Sequence, residues 1–215
     1  MNENRQLHIE ITTRCRLLCE KCSRTFLHNK GKLQNVDLPL DLFTKIVKSQ
    51  LYNDMLFCGS LGDCIYHPQF LEMVQVCKDH GLSVKIITNG SGKSKQWWIK
   101  LFEILDPSCD RLDFAIDGYK ETVGEYRKNF TEKDFYNVLE IMELAANKYK
   151  IKTLWTFIPM KFNEHQIIDA AKLAVSKNII FCFRKSHRWY QKNDPKLPSN
   201  KNLISNYSPV VIMND

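Results

Sequence analysis

Apolar and polar positions along the chain follow two alternating rhythms. Short runs at Leu7 to Thr13, Asp54 to Ser60, Ser83 to Thr88, Arg111 to Asp117, Lys152 to Ile158 and Ile179 to Lys185 predict six strands. Between them, apolar residues recur with helical spacing. Leu42, Phe43, Ile46 and Val47 share one face of a helix predicted from Leu40 to Leu51. A second helix runs from Pro68 to His80, with proline near its first turn and Gly81 at its end. Lys95 to Leu105 predicts a third, and a further helical region ends near Tyr149. Asn163 and Gln166, three residues apart, have the side-chain types of a loose capping box and open a helix that reaches Lys177.

Strand followed by helix, repeated up to a sixth strand, predicts an α/β fold with a parallel sheet and right-handed crossovers. A closed barrel of eight such units takes about 250 residues, and this chain has 215. Strand phase then sorts the side chains. Leu112, Phe114 and Ile116 share the face that meets the helices, which leaves Asp113, Ala115 and Asp117 facing inward. His8, Glu10 and Thr12 share a face of the first strand, and Cys182 and Arg184 share a face of the sixth. An interior lined by Glu10, Asp113, Asp117 and Arg184 is polar and suits a hydrophilic substrate, although salt bridges among these residues would account for them equally. From His187 the rhythm stops. Residues 1–186 are therefore expected to form one domain, and 187–215 an irregular tail with one short element near Val210 to Met213.

Composition narrows the class. With 44% hydrophobic and 26% charged residues, the chain can bury one sizeable core but not two. No apolar window reaches the roughly 18 residues of a membrane span, and the polar start Met1-Asn2-Glu3-Asn4-Arg5 lacks a signal-peptide apolar stretch. A cytoplasmic protein without a membrane partner is expected. Three of the eight cysteines are clustered, while Cys58, Cys64, Cys77, Cys109 and Cys182 are scattered through apolar segments, which fits a reducing compartment. The net charge of +7 comes mainly from lysines. It reads either as a solvated surface or as a nucleic-acid footprint, and a footprint should cluster on one face.

The chemistry is concentrated just after the first strand. Cys15, Cys19 and Cys22 stand as C-x3-C-x2-C in Thr12-Thr13-Arg14-Cys15-Arg16-Leu17-Leu18-Cys19-Glu20-Lys21-Cys22-Ser23-Arg24. Three thiolates on one tight loop can hold three irons of a 4Fe-4S cube and leave the fourth iron open. A closed zinc site with His8 or His28 is the alternative, although zinc fingers favour paired C-x2-C spacings. Unliganded cysteines pack on apolar faces, unlike three in eight residues among Arg, Glu and Lys.

This spacing, close to the start of the chain and directly after a strand, resembles the signature of the radical S-adenosylmethionine (SAM) superfamily. The resemblance covers roughly residues 7–185. It implies an incomplete, laterally open (β/α)6 barrel in which the amino and carboxylate groups of SAM chelate the open iron. The second strand ends in Gly59-Ser60-Leu61-Gly62-Asp63-Cys64-Ile65-Tyr66-His67-Pro68, which looks like a variant of the family's Gly-Gly-Glu-Pro stretch, with Cys64 in place of the usual proline. There Gly59, Ser60, Gly62 and Asp63 are expected to take the SAM amino group, the glycines letting backbone approach the ligand. Strand ends carrying Thr88-Asn89-Gly90 and Asp117-Gly118 resemble family segments beside the ribose and methionine of SAM, though Asn-Gly and Asp-Gly also make ordinary turns. Arg127, in Glu125-Tyr126-Arg127, is the candidate clamp for the SAM carboxylate, its alternative being a surface arginine. Ile158 would lie against the adenine. Before the third cysteine, relatives often carry an aromatic residue; here it is Lys21.

The activity so implied is reductive cleavage of SAM into methionine and a 5'-deoxyadenosyl radical that abstracts hydrogen from a substrate. A low-potential flavodoxin- or ferredoxin-like donor would reduce the cluster. Cys-x-Lys-Cys-x-Arg is similar to some SPASM-type members, which makes a peptide or protein the first substrate class. No cysteine follows Cys182, so an auxiliary cluster in a C-terminal extension is not expected. A nucleotide or RNA base is the second class, suggested by the positive charge. The rival from outside enzymology is a metal-binding module with a basic surface for nucleic acid, which would need neither an open iron nor glycine-bearing strand ends.

Overall fold

The computed structural model describes residues 5–186, 193–204 and 210–212; for the last three only the backbone is described. Its frame is one seven-stranded sheet in chain order. Strand β1 is Gln6–Ile9, and the chain then forms helix α1 (Ser23–Asn29) and helix α2 (Leu40–Lys48). Strand β2 (Asp54–Phe57), helix α3 (Phe70–Asp79), strand β3 (Ser83–Thr88) and helix α4 (Lys95–Ile104) follow. Strand β4 (Arg111–Ala115) leads into a short helix α5 (Val123–Tyr126) and the long helix α6 (Glu132–Asn147). Strand β5 (Lys152–Phe157), helix α7 (Ile167–Ser176), strand β6 (Ile180–Phe183) and strand β7 (Val210–Ile212) complete the order. Strands β1 to β6 pair in parallel, each with its successor. The sheet is open and not closed into a ring, as the (β/α)6 reading requires. The seventh strand, near the element expected at Val210 to Met213, runs antiparallel on β6. Met213, residues 1–4 and the tail segments 187–192 and 205–209 lie outside the described residues.

Strand phase explains the core. Met55, Phe57, Val84, Ile86, Leu112, Phe114, Trp155, Phe157 and Phe181 alternate along β2 to β6 and are fully buried against the helices. Aromatic rings continue the contact from Phe57 through Phe70, Trp97 and Trp98 to Phe114. Fully burying one such side chain contributes about 1.5–3 kcal/mol, so truncating Trp98 or Phe57 to Ala should cost about 3–5 kcal/mol. The opposite phase behaves as expected for Asp113, which is buried and accepts a hydrogen bond from the Thr156 hydroxyl. Burial pushes the Asp113 carboxyl upward, against the opposing pull of Thr156 and Arg184. Arg184 reaches its Oδ2 at 3.5 Å while staying 45% exposed.

Several boundaries move. The first strand stops at Ile9, and Thr12 instead bridges Asp37 in antiparallel fashion. The region ahead of Tyr149 is broken, because Asn129 adopts φ +70° and Thr131 with Asp134 builds a reciprocal capping box that starts α6 afresh. The capping box expected at Asn163 and Gln166 does not form. Asn163 is buried, accepts from Met160 N at 2.6 Å and donates to Ile158 O at 3.1 Å. Gln166 accepts from the Thr122 hydroxyl instead. Helix α1, unmarked by periodicity, begins directly at the third cysteine, since Cys22 is its N-cap. Cys109 is exposed rather than set in an apolar segment. Among the described residues no helix is long and apolar enough to cross a membrane.

Candidate functional site

The loop leaving β1 is braced by protein groups at every turn. Glu10, the first residue past β1, accepts from Leu61 N and, at 3.0 Å, from Gly62 N, so its carboxylate sits inside the Gly59–Gly62 loop. A Cβ on Gly59 would stand 2.7 Å from Glu10 Oε1. At Gly62 it would stand 1.9 Å from Thr12 O, a clash with rigid backbone. Gly62 is therefore demanded by the approach of the chain to itself, at the base of the cysteine loop. Arg24 is buried and donates from Nε to Thr13 O at 2.9 Å and from Nη1 to Leu17 O at 3.4 Å, holding the loop from within. From outside, Leu18 N donates to Lys128 O, and Arg16 binds Asn129 O and the Asp134 carboxylate.

All three cysteines of this loop are half-buried. Cys15 Sγ receives Leu17 N at 3.4 Å and Asn89 Nδ2 at 3.7 Å. Cys22 Sγ lies 3.6 Å from Ser60 O, which ties Ser60 to the loop. Burial pushes the Cys15 thiol up to about 12, with the Asp63 charge acting in the same direction. Burial raises Cys19 as well, opposed by the nearby Arg127 guanidinium. Binding to a metal would reverse this, since a coordinated thiol is deprotonated outright.

Two buried carboxylates organise the other expected site residues. Asp63 accepts from Thr88 Oγ1 at 2.8 Å, Asn89 N at 2.7 Å, Asn89 Nδ2 at 2.5 Å and Ile65 N at 3.4 Å. It thereby joins the end of β2 to the end of β3 and caps the single turn Cys64–Tyr66, so order in this loop does not need the family's proline. Burial raises its carboxyl, against the pull of Asn89 and Thr88. On the other side, Asp117 accepts from Arg127 Nη2 at 2.6 Å and from Ile158 N at 3.0 Å. Arg127 is 12% exposed in its side chain, so it is no surface arginine, and its Nε has no partner among the described residues. Asp63, Thr88, Asn89 and Cys15 form one connected group, and Asp117, Arg127 and Ile158 form a second beside Cys19.

Other residues in the motifs have structural work. His67 Nδ1 accepts from Gln69 N at 3.0 Å, which leaves the proton on Nε2 to donate to Leu38 O. His8 Nε2 pairs with Cys58 O and His28 with Asn29, so neither joins the cysteines. Lys21 forms an ion pair with Asp194, a residue of the tail region. Arg24, Arg16 and Asp194 carried no signal in the sequence, and Glu10 was legible only as an inward-facing residue of the polar interior.

The residues fit an iron-sulfur cube and SAM. Among the described residues no three His, Cys, Asp or Glu side chains converge as ligands of one ion. Three half-buried thiols on one loop, with His8 and His28 engaged elsewhere, are a donor set that suits a cube with one open iron. The unpartnered, buried Arg127 Nε is a donor with capacity left for an anionic ligand group.

The sequence model of the Radical SAM superfamily matches residues 9–174, and the chain belongs to that superfamily. Its enzymes use a 4Fe-4S cluster together with SAM. Over 114 residues the chain is 31% identical to the tungsten-containing aldehyde ferredoxin oxidoreductase cofactor-modifying protein of Pyrococcus furiosus, covering 52% of this chain and 30% of that protein. Streptococcus suis SuiB, solved with its precursor peptide SuiA, is similar in fold, with a TM-score of 0.64 at 17% identity over 81% of this chain and 37% of SuiB. The protein anSMEcpe, solved with AdoMet and the Cp18Cys peptide, gives a TM-score of 0.67 at 18% identity over 92% of this chain and 56% of its own. The chain thus spans between about a third and a half of the length of these proteins.

Proposed function

We propose that the chain is the SAM-cleaving core of a radical SAM enzyme that acts in the cytoplasm on a peptide or protein. Cys15, Cys19 and Cys22 hold the cluster. When bound, cluster and SAM would supply one-electron cleavage of the sulfonium and, through it, hydrogen-atom abstraction from the substrate. The chain's part is placement. Asn89 offers an N–H to the Cys15 sulfur, a contact of the kind that tunes cluster potential. Arg127 keeps its Nε for the SAM carboxylate while Asp117 fixes the guanidinium plane. Gly59, Ser60, Gly62 and Asp63 would present their loop to the amino group, Thr88 and Asn89 would bound the ribose and methionine side, and Ile158 would lie against the adenine. A small flavodoxin- or ferredoxin-like protein supplies the electron.

The observation that carries this reading is the convergence of the two carboxylate groups on the cysteine loop, Asn89 at Cys15 and Arg127 at Cys19. A peptide is favoured because SuiB and anSMEcpe, similar in fold, were each solved with a peptide. Anaerobic reconstitution with iron and sulfide should give a brown protein with a single 4Fe-4S cluster, and dithionite with SAM should then yield 5'-deoxyadenosine. Replacing Cys15, Cys19 or Cys22 with Ala should abolish both, whereas Cys77→Ala and Cys109→Ala should spare them. Stoichiometric zinc after oxygen-free purification would sink the assignment.

A further inference from the structure

One cluster of positive charge surrounds the cysteine loop. Residues 11–36 hold Arg14, Arg16, Lys21, Arg24, Lys30 and Lys32 against the single acid Glu20, a local net charge of +5 on the cysteine loop and the excursion after it. Four of these cations are engaged: Arg14 with Asp37, Arg16 with Asp134, Lys21 with Asp194, and Arg24 with backbone carbonyls. Lys30 and Lys32 are exposed and belong to none of the ion pairs among the described residues. Lys30 Nζ lies 4.1 Å over the ring of Phe26. Phe26 is itself 58% exposed, and Val36 55%.

Both ends of this excursion are fastened to the cluster-binding loop. It starts at Cys22, whose carbonyl accepts from Phe26 N at 3.1 Å. It returns where Thr13 N donates to Val36 O at 2.9 Å, two residues before Cys15. A partner seated on Phe26 would thus rest on the peptide that carries a cluster ligand.

We propose that the excursion bearing Phe26, Lys30, Lys32 and Val36 is the docking surface of a small acidic carrier protein that delivers the low-potential electron. This rests on the function proposed above, and specifies where its reductant binds. The carrier loses one electron and the cluster gains it; no bond is made or broken and no proton moves. Interfaces work best with an apolar centre and a polar rim, and here two large apolar side chains stand among uncompensated lysines. Opposite charge on the carrier would raise the encounter rate and set its orientation. Nucleic acid fits less well, because its binding scales with the number of free cations placed on phosphates, and only two are free here.

The test uses a low-potential ferredoxin as carrier, dithionite as the chemical control and fluorescence anisotropy of labelled ferredoxin as a readout independent of turnover. Lys30→Glu with Lys32→Glu should weaken ferredoxin binding at least tenfold at low salt, the difference shrinking as salt screens the surface. Ferredoxin-driven formation of 5'-deoxyadenosine should fall in parallel, with the dithionite-driven rate unchanged. Phe26→Ala should weaken binding at every salt concentration, and Lys172→Glu on α7 should do nothing. Unaltered ferredoxin binding in the double variant would overturn the surface. So would loss of affinity for an RNA oligonucleotide with ferredoxin binding intact. Absence of 5'-deoxyadenosine with dithionite in the unaltered protein would instead defeat the enzymatic reading, and the binding experiment would still decide the surface.

Discussion

Asp63 and Asp117 are both buried acids at strand ends, yet they are satisfied in opposite ways. Asp63 spends its oxygens on neutral donors: Ile65 N from its own loop, and Thr88 and Asn89, which tie that loop to the end of β3. Asp117 faces a guanidinium and leaves that guanidinium one donor short of full use. A carboxylate saturated by neutral groups is a brace. One paired with a cation that still has a free donor is half of a binding device, because a ligand carboxylate can share the cation without displacing its partner. The expected SAM contacts therefore divide into residues that shape the site and residues that have capacity left to bind.

The most severe way to attack the bracing side is Gly62→Ala. Its Cβ would sit 1.9 Å from Thr12 O, so the loop must move and the cysteines with it. Loss of cluster incorporation, with a much lowered melting temperature, is expected; a variant that loads iron normally would show that the loop adapts. On the binding side, Arg127→Ala leaves Asp117 buried and unpaired and should cost about 3–5 kcal/mol in denaturant unfolding. Adding Asp117→Ala should recover part of that loss while SAM affinity stays reduced at least tenfold, the loss of a charge-assisted contact of about 1.5–3 kcal/mol. Recovery of SAM affinity in the double variant would remove Arg127 from the carboxylate site. Arg127→Lys should fall between, keeping the charge without the planar fork.

The smallest effect is in pH. Burial raises Asp63 above the ordinary 3.8. Its contribution to stability is thus fully present below that value and is lost as pH rises through the raised one. Asp63→Asn removes the titration, so unfolding midpoints of the two proteins should diverge at low pH and run parallel above the window. Identical pH profiles throughout would mean that Asp63 does not titrate in this range.

Much of this frame was legible because strands with one buried face repeat every second residue. Leu112, Phe114 and Ile116 against Asp113 and Asp117 is a pattern that one-residue slippage would invert. Cysteine spacing was legible because ligand geometry acts over eight residues. What stayed hidden depends on pairs far apart in the chain. Arg24 looks like any charged residue until its carbonyl partners on the folded loop are known, and Lys21 with Asp194 joins positions 173 apart. Asn163 shows the same limit, since its capping types were in place but Met160 and Ile158 claimed the side chain.

Arg24, Glu10 and Arg16 fasten the cysteine loop with protein donors and acceptors. For biogenesis this predicts that the loop folds before metal is loaded, unlike a small zinc module whose fold waits for its ion. Delivery machinery would meet a finished receptor, and a cluster destroyed by oxygen would leave behind a scaffold fit for repair rather than one marked for degradation. Thermal unfolding of the metal-free protein should accordingly remain cooperative, with loading raising the midpoint by mass action alone.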